Sequence, residues 1–157
     1  MKTIFLAAGR SSRMKPIDDK NLLEFCGEPL ILKLLKNARK GGLQNFIVVC
    51  NEDNRDIITK TLETRFDGKV TVTIQPRLEE GMMGGITAGL ELIEDDEDLF
   101  ILGGNDYVEP AIYQEILDRS KDWDGGILCK KMTDYFPGGY IKKDADGRIL
   151  EIIEKPG

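Results

Sequence analysis

The sequence contains no histidine and only three cysteines, Cys26, Cys50 and Cys129, which lie far apart. The absence of histidine excludes a histidine general base and a histidine-ligated zinc site. Three cysteines with no Cys-x-x-Cys pair lack the spacing of a zinc or redox motif, so we expect free, buried thiols. The chemistry of the protein must therefore depend on other side chains.

The sequence also lacks any long apolar run and any segment with the layout of a signal peptide, which predicts a soluble, cytoplasmic protein without a membrane partner. Its 157 residues carry 22 Lys and Arg against 28 Asp and Glu, a net charge of -6. A field of this sign repels polyanions and argues against general binding of nucleic acid. Any phosphate site must then be a local cluster of cations.

Neither of the two common glycine-rich phosphate loops is present. Gly9 stands alone until Gly27, whereas a Walker A loop needs Gly-x-x-x-x-Gly-Lys-Ser/Thr and a dinucleotide fingerprint needs three spaced glycines. An ATPase and a Rossmann dehydrogenase are therefore disfavoured.

The first thirteen residues join an apolar strand to a turn of small residues and cations. Residues 4–6 have β propensity, and residues 7–9 are Ala-Ala-Gly, which lets a ligand approach the backbone closely. Arg10 and Arg13 bracket two serines, and the main-chain N–H groups of such a turn can point at an anion. The segment predicts a polyphosphate site, against the alternative of an ordinary turn with solvated charges.

Strand-like and helix-like periodicities alternate along the rest of the chain. They predict strands over 4–6, 46–50, 70–74 and 99–102, and helices over 30–40, 53–66, 86–93 and 111–119. This succession indicates a doubly wound, mostly parallel, Rossmann-like α/β sheet with helices on both faces. Asp146-Gly147 between two alternating runs predicts a β-hairpin at the carboxyl end. Ligands of such sheets bind at the carboxyl ends of the strands, where residues 7–9 lie.

Two further candidate residues follow predicted strands. Gln75 ends the third strand and precedes Gly81, so its amide can read the edge of a base while the glycine admits that base; the alternative is a solvated loop glutamine. Asp106 follows the fourth strand, and magnesium is held by one or two carboxylates plus phosphate oxygens. The neighbouring Asn105 is the alternative metal ligand. The acidic run 94–98 precedes the fourth strand, at the other end of the sheet, and is interpreted as a solvated turn.

Four elements in order carry a resemblance to a known family. They are Leu6-Ala7-Ala8-Gly9 through Arg13-Met14, then Pro16, then Lys20 with Leu22-Leu23, and then Gly27-Glu28-Pro29-Leu30. Together they resemble the signature of sugar-1-phosphate nucleotidyltransferases, Leu-Ala-Ala-Gly-x-Gly-x-Arg-Met-x-Pro, then Pro-Lys-x-Leu, then Gly-Lys-Pro. Ser11 stands where that family usually has a second glycine, and Asp19 replaces the proline before the lysine.

The carboxyl-terminal third extends the resemblance. Gly139-Tyr140 and Glu154-Lys155-Pro156 are similar to the family's sugar-binding strand and its Glu-Lys-Pro motif. The resemblance implies a single nucleotidyltransferase domain over 1–157, glycosyltransferase-A-like in fold and truncated at its carboxyl end. A fragment and a reduced relative that works with a partner both remain open.

The implied activity joins a nucleoside triphosphate to a sugar 1-phosphate and releases pyrophosphate, with Mg²⁺ as cofactor. The resemblance assigns the site residues as follows: catalytic, Arg13 and Lys20; nucleotide-binding, Leu6, Ala7, Ala8, Gly9, Gln75 and Gly81; sugar-phosphate-binding, Gly139, Glu154 and Lys155; metal, Asp106.

Two other functions remain as alternatives, a non-catalytic nucleotide-binding or regulatory module and a cytidylyltransferase acting on a non-sugar phosphate. The sequence does not fix the nucleotide, the sugar or the oligomeric state, so a homo-oligomer also stays open.

Overall fold

The computed structural model describes residues 1–94 and 96–154, which divide into two compact units, Met1–Arg119 and Ser120–Gly157. The strands of the first unit are β1 (Lys2–Leu6), β2 (Glu24–Phe25), β3 (Glu28–Pro29), β4 (Phe46–Cys50), β5 (Val70–Ile74) and β6 (Leu99–Gly103). Its α-helices are α1 (Leu30–Lys40), α2 (Arg55–Arg65), α3 (Gly81–Leu90) and α4 (Pro110–Arg119). Short 3-10 helices cover Ser12–Met14, Lys20–Leu22 and Leu78–Glu80.

The central sheet of the first unit is parallel, with the strand order β5-β4-β1-β6. From β1 the chain builds the sheet outwards through β4 to β5, and then crosses to the other side of β1 to add β6. The strand order therefore reverses between β1 and β6. In doubly wound sheets, ligands bind at the carboxyl ends of the two strands that flank such a reversal.

One face of the sheet carries the larger core. The apolar face of α1 packs here together with α2 and α4, on alternate residues of β1 and β4. The fully buried side chains of this cluster include Phe5, Ile31, Leu35, Val48 and Ile58. This layer fixes the strands whose carboxyl ends carry the candidate residues.

The other face is covered by α3, whose glycines bring it close to the sheet. A Cβ on Gly85 would lie 3.1 Å from the side chain of Leu6, and a Cβ on Gly89 would lie 2.9 Å from the side chain of Ile4. Helix α3 begins at Gly81, five residues before the predicted start at residue 86. The prediction was wrong there because glycine disfavours helices in isolation, whereas close packing against the sheet here requires it.

The second unit contains an antiparallel hairpin of β7 (Gly139–Lys143) and β8 (Ile149–Glu154). Its turn follows the predicted Asp-Gly pattern, since Gly147 has a φ of 88° and Oδ1 of Asp144 accepts from the N–H groups of Asp146 and Arg148. The predicted hairpin is confirmed. A 3-10 helix at Ser120–Asp122 begins the unit.

The cysteines are free, but only Cys50 is buried, while Cys26 and Cys129 are exposed. The expectation of buried thiols was therefore wrong for two of them. Burial raises the pKa of the Cys50 thiol to about 12, with a smaller contribution from the nearby Asp19. Cys26 has a φ of 53° and forms the tight turn between β2 and β3 with Gly27, which keeps it at the surface.

The acidic run 94–98 is exposed at its described residues, and Glu97 forms an ion pair with Lys2 at 3.1 Å. Asp95 lies outside the described residues. Among the helices that the structure describes, none has both the length and the apolar character needed to cross a membrane.

Candidate functional site

The turn that follows β1, residues 7–9, is held from inside the protein by buried asparagine side chains; we call it the β1 turn. The carbonyl of Ala7 accepts from Nδ2 of Asn21 at 3.0 Å and from Nδ2 of Asn54 at 2.9 Å. The carbonyl of Ala8 accepts from Nδ2 of Asn51 at 2.9 Å. Asn21 is completely buried, and Asn51 and Asn54 are at most 5% exposed.

These amides are themselves fixed by further hydrogen bonds. Asn51 and Asn54 each accept the other's backbone N–H through the side-chain oxygen, at 2.9 Å in both directions. Asp19 accepts from Nδ2 of Asn21 at 2.7 Å and, through its other carboxylate oxygen, from Nδ2 of Asn54 at 2.5 Å. We call Asp19, Asn21, Asn51 and Asn54 the amide clamp.

The amide clamp sets the direction of the N–H groups in the β1 turn. In a trans peptide the C=O and N–H bonds point in opposite directions, so an inward carbonyl on Ala7 directs the N–H of Ala8 outward. The same holds for the carbonyl of Ala8 and the N–H of Gly9. Neither N–H donates to another group within the described parts of the chain. Outward-pointing successive N–H groups form a site for anions.

Lys20 connects the β1 turn to the turn that follows β6. Its Nζ donates to Oδ1 of Asn105 at 2.7 Å and lies 3.9 Å from the position of a Cβ on Gly9. Its backbone N–H donates to Oγ of Ser11 at 3.0 Å. Ser11 has a φ of 52°, the left-handed region that favours glycine. The lysine therefore lies where the carboxyl ends of β1 and β6 meet.

Arg13 lies in the 3-10 helix that follows the β1 turn, and Arg10 precedes that helix. Both are exposed, and neither forms an ion pair with any group in residues 1–94 and 96–154. Their guanidinium groups are free to bind an anionic ligand near the turn.

Asp106 is the predicted metal ligand, and it lies exposed at the carboxyl end of β6. Its carboxylate folds over Gly103, where a Cβ would collide with Oδ2. Within the described residues no group of three or more acidic, Cys or His side chains could hold a metal. A single carboxylate fits a magnesium ion that takes its other ligands from phosphate and water. Oδ1 of Asn105 already accepts from Lys20, and the assignment of Asp106 as the metal ligand stays a prediction.

Gln75 is 5% exposed, not the solvated loop residue of the alternative interpretation. Its Nε2 donates to the carbonyls of Arg77 at 3.0 Å and Gly81 at 2.8 Å, which uses both hydrogens of the amide. A Cβ on Gly84 would lie 2.7 Å from that nitrogen. Gln75 therefore shapes the loop before α3, and its reading of a base stays a prediction.

Gly139 and Glu154 form a directly opposed pair in the β7–β8 hairpin. Oε2 of Glu154 lies 3.4 Å from the position of a Cβ on Gly139, so the carboxylate lies beside the exposed glycine. Lys155, the predicted ligand of the sugar phosphate, lies outside the described residues. The roles of these three residues stay predictions.

Sequence reasoning did not identify the amide clamp. Its only visible signal is the pair Asn51 and Asn54 directly after a buried strand, at the strand end where ligands bind. The sequence identified Asp19 only as a departure from a motif, although it accepts hydrogen bonds from two buried side chains.

A model of the MobA-like NTP transferase domain matches residues 3–141. The bifunctional protein GlmU of Sorangium cellulosum is 27% identical over 162 residues, which cover 98% of this chain and 34% of that protein. The mannose-1-phosphate guanyltransferase of Debaryomyces hansenii is 30% identical over 169 residues, covering 99% of this chain and 45% of that protein. The chain thus spans between a third and a half of the length of these curated relatives.

Solved structures share the fold. HddC from Yersinia pseudotuberculosis, complexed with GMP-PN, superposes with a TM-score of 0.77 at 24% identity, covering 98% of this chain and 69% of that one. A putative glucose-1-phosphate thymidylyltransferase from Bacillus anthracis gives a TM-score of 0.78 at 19% identity, covering 99% and 65%. These likenesses confirm the predicted α/β fold.

Proposed function

Because the chain belongs to the MobA-like NTP transferase domain family, we propose that it transfers a nucleoside monophosphate from a nucleoside triphosphate to a sugar 1-phosphate. The products are a nucleoside diphosphate sugar and pyrophosphate. The name of one relative, the 30% identical mannose-1-phosphate guanyltransferase, supports the sugar phosphate as acceptor.

The observation that carries the proposal is the position of Lys20. Its ammonium group lies beside the β1 turn and bonds to Asn105 after β6, at the reversal of strand order. A cation there, next to outward-pointing N–H groups, suits a triphosphate and suits the charge that develops during transfer.

The reaction needs no nucleophile from the protein. A phosphate oxygen of the sugar 1-phosphate attacks the α-phosphorus, and the bond from that phosphorus to the bridging oxygen of the pyrophosphate breaks in line. The leaving pyrophosphate carries the bonding electron pair. The protein contributes positioning and charge neutralisation, which fits a site without histidine.

We assign one role to each cation. Arg13 binds the leaving pyrophosphate, Lys20 the α-phosphate and Lys155 the phosphate of the incoming sugar. The N–H groups of Ala8 and Gly9 bind the triphosphate, while Gln75 and Gly81 border the base and Gly139 and Glu154 the sugar. Asp106 would hold magnesium, which when bound neutralises charge on phosphate oxygens.

The test is pyrophosphate release over a matrix of triphosphates and sugar 1-phosphates, with magnesium or with EDTA. We expect release in one cell of the matrix, dependent on magnesium, and this result would name both substrates. The matrix includes phosphocholine with CTP as a non-sugar acceptor.

Release in the phosphocholine cell alone would overturn the sugar assignment. Triphosphate binding by calorimetry without release in any cell would point to a regulatory nucleotide-binding module. The same matrix run on the chain extended by any native downstream sequence separates an incomplete site from an inactive one.

A further inference from the structure

Ser11 and Asp19, two of the positions at which the chain departs from the sugar-phosphate signature, contact the segment around Lys20. Ser11 accepts the backbone N–H of Lys20 through its hydroxyl. Asp19 accepts from the backbone N–H and from the side chain of Asn21, and also from the side chain of Asn54. The two departures therefore lie in one hydrogen-bonded unit next to the candidate site.

We propose that Asp19 is a positioning residue for polyphosphate binding, which acts through Asn21 and Asn54 on the carbonyl of Ala7. The proposal rests on the proposed function, because the bound anion is taken to be a triphosphate. Asp19 itself need not touch the ligand.

The argument starts from the hydrogens of the two amides. Each Nδ2 carries two hydrogens, and in Asn21 and in Asn54 the nitrogen donates to the carbonyl of Ala7 and to Asp19. In Asp19→Asn one carboxylate oxygen becomes an NH2 group, which leaves a buried donor without an acceptor on one of the two asparagines. That amide would then be free to rotate towards other acceptors, and the carbonyl of Ala7 would lose one of the two donors that fix its direction.

The surroundings of Asn21 show what fixes the orientation of its side-chain amide. Its Oδ1 is buried and has no hydrogen-bond partner within the described residues. A Cβ on Gly104 would lie 2.8 Å from the same oxygen. The orientation of the Asn21 amide is therefore set only by the two hydrogen bonds that its Nδ2 donates. One of these bonds goes to Asp19.

Electrostatics provides a sharp test, because the carboxylate has the wrong sign for a neighbour of an anion site. Removal of the negative charge of Asp19 should tighten polyphosphate binding if charge alone matters. Removal of a positioning group should weaken it. The two explanations predict opposite signs for one variant.

The experiment measures binding of tripolyphosphate by calorimetry in the presence of magnesium, with Asp19→Asn compared with Asp18→Asn. Asp18 is a matched control, since its side chain is 94% exposed and forms an exposed ion pair with Lys15. We expect Asp19→Asn to weaken binding about tenfold. We expect Asp18→Asn to leave binding unchanged or slightly tighter.

A second measurement does not depend on a ligand. Trypsin cleavage after Arg10 and Arg13, relative to cleavage after Arg148 in the hairpin turn, reports on the order of the segment that follows the β1 turn. We expect Asp19→Asn to accelerate this relative cleavage about tenfold and Asp18→Asn to leave it unchanged. Asp19→Glu keeps the charge and the acceptor atoms, so it should retain more affinity for tripolyphosphate than Asp19→Asn. If Asp19→Asn does not fold, Asp19→Glu is compared with the wild-type chain in its place.

Unchanged cleavage together with equal or tighter binding in Asp19→Asn would overturn the positioning role. If the wild-type chain does not bind tripolyphosphate, the proposed function fails. Accelerated cleavage in Asp19→Asn would still support the role of Asp19 in shaping the turn.

Discussion

The β1 turn and the β7–β8 hairpin both carry residues that the family resemblance assigns to substrates, but they are held in different ways. In the β1 turn, two carbonyls are fixed by three buried amides. In the hairpin, every residue of β8 is exposed, and the opposed pair Gly139 and Glu154 is fixed by the ladder of the two strands.

This difference predicts which substitutions change the rate of the chemical step and which change the binding of the sugar phosphate. A site held by buried, saturated hydrogen bonds is preorganised, so charge placed there stabilises a transition state without reorganisation. An exposed two-stranded hairpin has little buried apolar area of its own. We expect substitutions near the β1 turn to change turnover, polyphosphate binding or stability, and substitutions in the hairpin to change the affinity for the sugar phosphate.

The largest expected effect is on turnover. Lys20→Ala should lower kcat about 100- to 1000-fold with a much smaller change in KM, because the ammonium group acts mainly on charge that develops in the transition state. The measurement is pyrophosphate release under saturating substrates. Lys60→Ala, on the exposed face of α2, is the matched control and should leave kcat unchanged; a near-normal kcat in Lys20→Ala would remove the lysine from the mechanism.

The next effect is on stability at the turn that follows β6. In Gly104→Ala the new Cβ would collide with the carbonyl of Leu6 and lie 2.8 Å from Oδ1 of Asn21. Overpacking of this kind lowers the free energy of unfolding by about 1–3 kcal/mol. Urea denaturation measures the change. Gly125→Ala, where a Cβ would meet nothing within 4 Å, should be neutral, and equal stability of the two variants would contradict the packing described here.

A smaller effect is expected in the hairpin. Gly139→Ala places a Cβ 3.4 Å from Oε2 of Glu154, an ordinary contact, so thermal stability should change by less than about 0.5 kcal/mol. The KM for the sugar 1-phosphate should rise severalfold, because the methyl group occupies space assigned to the sugar. The KM for the triphosphate serves as the internal control. An unchanged KM for the sugar phosphate would separate the hairpin from the sugar site.

The smallest effect concerns the thiols and involves no substitution. At pH 8, Cys26 and Cys129 should react with a thiol reagent within minutes, whereas Cys50 should react only after unfolding. The pKa of Cys50 rises from 9.0 to about 12 on folding, mainly through burial. The folded state then keeps a proton that the unfolded state loses, so this contribution to stability falls as the pH rises from about 9 to 12. Rapid labelling of Cys50 in the native protein would show that the chain around Cys50, next to the amide clamp, opens without global unfolding.

The sequence predicted most of the fold because its strands and helices carry strong local signals. The apolar run 46–50 became β4 with every residue buried, and the periodic segment 30–40 became α1. The start of α3 was mispredicted, since the demand for glycine at Gly85 comes from the close approach of Leu6, a contact between segments far apart in the chain.

The candidate site was predictable in part. Lys20 and Asp106 were identified by motif, and the structure places both at the carboxyl ends of β1 and β6. The amide clamp was not predicted, because asparagine favours exposed turns in general and the position of Asn51 and Asn54 after a buried strand is only a weak signal. The role of the clamp depends on a contact with the carbonyl of Ala7, which lies 47 residues from Asn54 in the chain.

The position of β1 in the middle of the sheet has a consequence for the order of folding. The strand is synthesised before both of its neighbours, β4 and β6, which begin at residues 46 and 99. Contacts of such long sequence separation form late, because loop closure costs entropy before the contacts repay it. The β1 turn also needs Asn54, which follows β4. The anion site therefore cannot form on a nascent chain until β4 and Asn54 have emerged and packed against β1. A ligand can stabilise only chains in which this packing is complete.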